Sequence, residues 1–188
     1  MGKYSDNFLA EKRLKGDLLA DEAITSLFTN ANAASFSELL KNDWKNNDPL
    51  PKQLPKKLNT FFQKTQILPA WADNKKMKKA TKFFANYSGD VMGLLGSLAL
   101  PYCYAAADGA KVLYFSERIK KDTTKRLAET GQFVIDVLSP DAFEPEGKAI
   151  RSIQKVRLIH AAIRYHILKS GKWNKAWGYP INQEDMAG

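Results

Sequence analysis

The sequence is poor in the residues that build metal clusters and covalent cross-links. Its 188 residues include one cysteine, Cys103, and two histidines, His160 and His166. A lone cysteine excludes an internal disulfide framework and a cysteine-rich zinc module. Two histidines are too few for a histidine-cluster metal site. Long hydrophobic runs are missing as well. The longest uncharged stretch, residues 91–107, has 17 residues and is broken by Gly93, Gly96 and Pro101, so nothing qualifies outright as a transmembrane helix. The start, Met1-Gly2-Lys3-Tyr4-Ser5-Asp6, has no apolar signal core, which makes the cytoplasm the expected location.

What is there reads as globular. Hydrophobic residues make up 44% and charged residues 26% of the chain, a balance that disordered chains do not have. The length suits one domain of ordinary size or slightly more. Lys and Arg outnumber Asp and Glu by 29 to 20, for a net charge of +9. Residues 52–82 alone supply +8, from nine lysines and the single acid Asp73. Pro55 and Pro69 lie inside this stretch, with Pro49 and Pro51 just before it, so part of it must be turn or linker. Such a run can attract phosphate, although solvated lysine faces are its plainest reading. It contains no arginine, the better residue for two-point phosphate recognition. Nucleic acid is therefore not an expected partner. Peripheral contact with an anionic membrane surface remains open.

Periodicity is helical almost throughout, and no alternating strand appears. Residues 6–28 read as one or two amphipathic helices. Ser35-x-x-Glu38 has the form of a capping box, followed by Leu39, Leu40 and Trp44, and Asn46-Asn47-Asp48-Pro49 closes that element. Leu58, Phe61 and Phe62 belong to a short helix after Pro55. Residues 75–87 form a basic helix that Ser88-Gly89-Asp90 should break. Residues 91–107 then read as an apolar helix of small residues in the middle of a helical core. Ser116 can cap a helix running to about Leu138, ended by Ser139-Pro140. A last helix runs from about Ala149 to Lys169, with Gly171 as its stop. The expected fold class is all-α.

The last two helices put polar residues where apolar ones belong. At about 100° per residue, Ile153, Val156, Ile163 and Ile167 share a stripe about 80° wide, with His160 at its centre. His166 falls off the stripe, beside Arg164 and Tyr165, which should face solvent. An inward histidine is costly unless its ring nitrogens have partners. It can be a core histidine bonded to a carbonyl or hydroxyl, or a ligand. One histidine cannot build a zinc site, but it can supply the axial ligand that haem iron needs. On the preceding helix Ile119, Val134 and Val137 define the apolar stripe, and Arg126 and Thr130 lie at its centre. A buried guanidinium needs an anion or several acceptors. An internal ion pair would satisfy it, and so would a cavity for cofactor or substrate. Polar groups on the buried faces of two adjacent helices suggest a shared polar pocket.

Three segments carry a resemblance. Arg126-Leu127-Ala128-Glu129-Thr130, Val156-Arg157-Leu158-Ile159-His160-Ala161 and Gly178-Tyr179-Pro180-Ile181-Asn182-Gln183-Glu184-Asp185, in this order and with 34 residues from Arg126 to His160, resemble the rubber oxygenases (latex-clearing proteins). That family also includes the MpaB-type oxygenase of mycophenolic acid biosynthesis. The resemblance covers roughly residues 71–188, leaving 1–70 as an N-terminal helical segment with a Pro- and Lys-rich linker. It implies a multi-helix, globin-like bundle that binds haem b, with His160 as the proximal iron ligand. It further implies that Arg126 and Thr130 lie close to the haem in catalytic roles. Arg157 would support the His160 helix and, with Arg126, the cofactor. The implied reactants are dioxygen and an apolar, isoprenoid-like or lipid-like substrate. Trp71, Tyr102, Tyr104, Tyr114 and Phe115 could line a channel for it or simply pack the core.

Three departures qualify this expectation. Where the best-known rubber oxygenases carry a glutamate on the preceding helix, the ungapped offset lands on Ala110, with Asp108 the nearest acid. Where some carry a lysine directly before the threonine, this chain has Glu129. Both count against polyisoprene cleavage and leave haem binding intact; Asp108 and Glu129 are the nearby acid–base candidates. The family also continues past the Asn-Gln-Glu-Asp segment, so the chain is expected to be an N-terminal part of the catalytic domain. The alternative is a non-catalytic helical module that binds anionic partners through its lysine-rich surface.

Overall fold

Helix boundaries follow local capping chemistry. In the computed structural model, which describes residues 4–29, 33–41, 43–105, 107–115 and 123–186, Ser5 opens α1 (Asp6–Arg13) by accepting from the Phe8 amide. Asp17 stands ahead of α2 (Leu18–Thr29) and accepts from the Ala20 amide. Asp73 opens α5 (Asn74–Leu94) by accepting from the amides of Lys75 and Lys76. The remaining helices are α3 (Ala33–Lys41), α4 (Lys56–Thr65), α6 (Leu100–Ala105), α7 (Ala107–Phe115), α8 (Thr123–Leu138) and α9 (Ala149–Lys169). Gly171, at φ +68°, takes the left-handed turn that ends α9. The described residues are helical or irregular, with no strand, and the chain is all-α. Ser35 lies inside α3 rather than ahead of it, so it is not the predicted cap. Ser116 and Ile119 lie outside the described residues.

The core is built on α2, α4 and α9. Ala20, Ala23, Ile24 and Leu27 of α2 meet Leu58, Phe61 and Phe62 of α4 and Leu158, Ala161 and Ala162 of α9. The alanines let the helices approach closely, and each buried leucine, isoleucine or phenylalanine contributes about 1.5–3 kcal/mol. Trp44, Leu50 and Leu54 pack against this cluster from the α3–α4 connection.

The buried face of α9 differs from the predicted stripe. Ile150, Gln154, Leu158 and Ala161 are buried, whereas of the predicted stripe Ile167 is buried and Ile153, Val156 and Ile163 are only half-buried. Apolar periodicity counts greasy side chains, and this core face is made of alanine and of polar groups whose bonds are satisfied. The Gln154 amide donates to Phe62 O and Thr65 Oγ1, and its oxygen accepts from Arg151. Arg151 also donates to the carbonyls of Lys45 and Asp48.

The described part of residues 91–107 is not a core helix. α5 bends at Tyr87, where φ is −126°, instead of stopping at Ser88-Gly89-Asp90, and it resumes to Leu94. A wide π turn comes next over Leu95–Ala99, in which the Leu100 amide reaches back to Leu95 O. Opening the turn relieves the clash that Pro101 would impose on a regular helix. Among the described residues little covers this arm: Phe84 is the one buried residue of α5, and Leu94, Leu98 and Tyr102 are exposed. The arm touches α8 where Gly131 admits it; a Cβ there would stand 3.0 Å from Met92 Cε.

Asn46, in the turn after α3, fastens the loop before α9. Its Nδ2 donates to the carbonyls of Ala142 and Glu144, its Oδ1 accepts from the Ile150 amide, and it is 2% exposed. Asn46→Ala would leave those groups without partners away from water. It should lower the unfolding free energy by about 2–4 kcal/mol in urea titrations, with the m-value unchanged.

Candidate functional site

α9 turns one edge toward the start of α2 and the C-terminal tail. Along this edge stand Arg157, His160 and Arg164, at successive spacings of three and four residues. Arg157 grips Asp17 at two points, Nε to Oδ2 at 2.6 Å and Nη2 to Oδ1 at 3.0 Å, and its guanidinium lies 5.2 Å from the Phe61 ring centre. Arg157 thereby holds the His160 helix to α2. Arg164, expected at the surface, is 3% exposed. Its Nε donates to Asp21 Oδ1 at 2.7 Å and its Nη1 to Ile181 O at 2.9 Å. The reason for this difference is tertiary: the tail folds back over that sector of α9 and supplies the carbonyl, while α2 supplies the carboxylate.

The tail segment that resembled a family motif is a fastener. The Tyr179 amide donates to Arg13 O and the Gln183 amide to Lys15 O, and Arg13 pairs with Glu184 at 2.5 Å. Asn182 is buried; its Nδ2 donates to Tyr179 O and Asp185 Oδ2, and its Oδ1 accepts from the amides of Glu184 and Asp185. Ile181 sits at φ +50°, unfavourable for a β-branched residue. The Arg164 bond to its carbonyl and the Asn182 turn hold it there. Gly178 is required at φ +80°, where a Cβ would fall 2.5 Å from Arg13 Cγ.

His160 is held neutral. Burial comes first, the charges of Arg164 and Arg126 add to it, and Asp17 opposes; together they push the imidazole from its ordinary 6.5 down to about 4. The charge of Arg126 therefore reaches His160, and α8 and α9 bring the two predicted residues within electrostatic range. Arg126 and Thr130 are half-buried, one turn apart on α8, and neither has a hydrogen-bond or ion-pair partner among the described residues. Burial raises Asp21 above its usual range against the pull of Arg164. Burial acts the same way on Asp17, but Arg157, the Ala20 amide and Arg164 outweigh it and keep Asp17 below that range.

A half-open cavity lies elsewhere on α9. It encloses about 1280 Å³ and is lined by Phe28, Phe36, Leu40, Phe133, Ile159 and Ile163, with Glu129, Lys155 and His166 among its polar groups. His160, Arg126 and Thr130 do not line it. The His166 ring packs against Phe28 at 5.1 Å between centres. Of the aromatic set, Trp71, Tyr102, Tyr104 and Tyr114 are exposed and so are not core residues, while Phe115 packs against Trp173 and Trp177. Tyr114 and Phe115 also line the cavity. Glu129 is exposed at its rim, Ala110 is half-buried in α7, and the side chain of Asp108 lies outside the described part. Sequence reasoning missed Asp17, Asp21 and Arg164. The spacing of the two acids by four residues, ahead of a helix rich in arginine, was their only signal.

Residues 81–188 match the family described as ER-bound oxygenase mpaB/B'/rubber oxygenase, catalytic domain. The chain belongs to this family. It is also 28% identical over 176 residues to a rubber oxygenase of Streptomyces sp. (strain K30), an alignment that covers 89% of this chain and 42% of that relative. The chain thus spans less than half the length of the relative it matches. No solved structure matches it.

Haem fits the donor set at His160. A proximal ligand must be a neutral imidazole, which the surroundings of His160 enforce. Among the described residues no three His, Cys, Asp or Glu side chains gather as a metal site, and haem iron needs only one such residue. Arg126 adds a cation without a carboxylate of its own among the described residues.

The depressed His160 value has a thermodynamic consequence. The folded protein resists the proton that the unfolded chain accepts, so this stability is fully present above pH 6.5 and is lost as pH falls toward 4. Wild type should lose about 1–2 kcal/mol more than His160→Gln between pH 7 and 5 in denaturant titrations. Asp21 contributes with the opposite sign in both proteins and cancels in the difference. Equal pH slopes would remove His160 from this role.

Proposed function

We propose that the chain forms part of a haem b-dependent oxygenase that delivers dioxygen to an apolar, isoprenoid-like or lipid-like substrate. The observation that carries this reading is the neutral His160 within reach of Arg126, a cation with no ion-pair partner among the described residues, in a chain of the rubber oxygenase family. Haem, when bound, would supply the site that binds and activates dioxygen. His160 would hold the iron, and Arg157 would keep the His160 helix against α2 through Asp17. Arg126 would orient a carboxylate of the cofactor or polarise bound dioxygen by charge-assisted hydrogen bonding, with Thr130 one turn away as a weaker donor. The apolar cavity between α8 and α9 supports an apolar substrate. The ungapped offset sets Ala110 where the best-known rubber oxygenases carry a glutamate, and Glu129 stands where some carry a lysine; both differences count against polyisoprene as the substrate.

Absorption spectra test the ligand. The purified protein, as isolated or after addition of hemin, should show a Soret band that His160→Ala abolishes and His166→Ala preserves. The reverse pattern would move the iron to the cavity, and a colourless protein that takes up no hemin would end the haem reading. Arg126→Ala should keep the band and reduce oxygen-dependent turnover by about 10²-fold or more; unchanged turnover would take Arg126 out of the mechanism.

A second reading rests on the surface of α5. Lys75, Lys76, Lys78, Lys79 and Lys82 are exposed along its first half, and Phe83, Tyr87, Leu94 and Leu98 from its middle into the π turn. No single described helix is long and apolar enough to cross a membrane. We propose that this surface gives the protein peripheral contact with anionic membranes, whether or not the chain is catalytic. Co-sedimentation with phosphatidylserine–phosphatidylcholine vesicles should fall steeply between 50 and 500 mM salt while haem retention does not. Binding that is indifferent to salt and to phosphatidylserine would exclude it.

A further inference from the structure

Arg164 has a donor without an acceptor among the described residues. Nε and Nη1 are taken by Asp21 and Ile181 O, yet Nη2 is enclosed away from solvent and no described residue accepts from it. A guanidinium N–H held in such a position without an acceptor is costly. An oxygen from a bound ligand would satisfy it.

The surrounding charge favours an anion. Arg126, Arg157 and Arg164 face or reach the His160 edge, against the carboxylates of Asp17 and Asp21. Asp17 is engaged at two points by Arg157. Asp21 reaches Arg164 through one oxygen at Nε, and Arg126 has no carboxylate among the described residues. The group is therefore one positive charge in excess.

Arg164 also stands where a ligand bound at His160 would extend. It lies four residues after His160, one turn and about 6 Å along α9, on the same side of the helix. It cannot swing away, because Asp21 on α2 and Ile181 in the strained tail turn fix two of its three nitrogens. A planar guanidinium fixed on one edge presents the other in a set direction, which suits a carboxylate.

We infer that Arg164 Nη2 is the seat for a carboxylate of the ligand held at His160, so that Arg126 is left free to act on dioxygen. This rests on the haem reading above, in which the carboxylate is a haem propionate. It divides between two arginines the two roles that reading gave to one. The tail turn gains a function as well, since the Ile181 carbonyl sets the direction of Arg164.

The experiment compares hemin with hemin dimethyl ester, whose propionates carry no charge, by Soret titration of the purified protein. Wild type should bind hemin about tenfold or more tightly than the ester, the factor that about 1.4 kcal/mol provides. Arg164→Gln should bring the ratio close to one while binding the ester as wild type does, and Arg126→Ala should keep the wild-type ratio. Circular dichroism melting reports whether Arg164→Gln folds. If it does not, Arg164→Lys keeps the charge beside Asp21 but cannot serve three acceptors in fixed directions, and its ratio should fall by about half on a logarithmic scale. Equal binding of hemin and ester by wild type, or an Arg164 variant that folds and keeps the full ratio, overturns the inference and leaves the haem reading standing. A ratio lost in Arg126→Ala instead returns the carboxylate to Arg126. No Soret band with either compound overturns the haem reading and this inference with it.

Discussion

The attachment of α9 to α2 through two arginine–carboxylate pairs is the constraint on which the rest of the structure depends. A helix of 21 residues containing three arginines can be buried on most of its circumference only if each guanidinium meets acceptors. Asp17 and Asp21, one turn apart at the start of α2, meet Arg157 and Arg164. The carbonyls of Lys45 and Asp48 meet Arg151. With the charges satisfied, Ala161, Ala162 and Leu158 can reach the alanines and leucine of α2. These pairs hold the edge between the core and the cavity, and His160 stands between them.

The neutrality of His160 stems from that arrangement. An imidazole beside one arginine and no acid would be driven neutral by charge alone; beside an acid alone it would be driven to protonate. Here burial leads, Arg164 and Arg126 add to it, and Asp17 opposes. Much of the charge of Asp17 is already answered by Arg157, so the opposition is weak. The strained carbonyl at Ile181 belongs to the same arrangement, because it keeps Arg164 extended toward the tail.

The helical elements were legible in the sequence because their signals are local. The span of α9 and its stop at Gly171, the short helix after Pro55, and the basic run of α5 all come from periodicity, caps and proline. The face each helix buries was less legible. α9 buries alanine, Gln154 and arginine toward the core, and an apolar count cannot credit a polar side chain whose partners come from residues about 90 to 140 positions away. The apolar arm at 91–107 failed for the opposite reason: its composition is that of a core segment, but among the described residues only α8 touches one side of it.

The sequence by itself determined the fold class, the two helices that bear the candidate site, and the spacing of Arg157, His160 and Arg164 along one edge of α9, since helical phase depends on nothing beyond the chain's own spacing. Tertiary structure alone decided that Arg164 is buried, that Asp17 and Asp21 are its helix's counterions, and that the cavity opens beside His166 rather than His160. Burial and charge pairing are properties of neighbours. They come into being only when α2, α9 and the tail are brought together, and no periodicity within one helix encodes them.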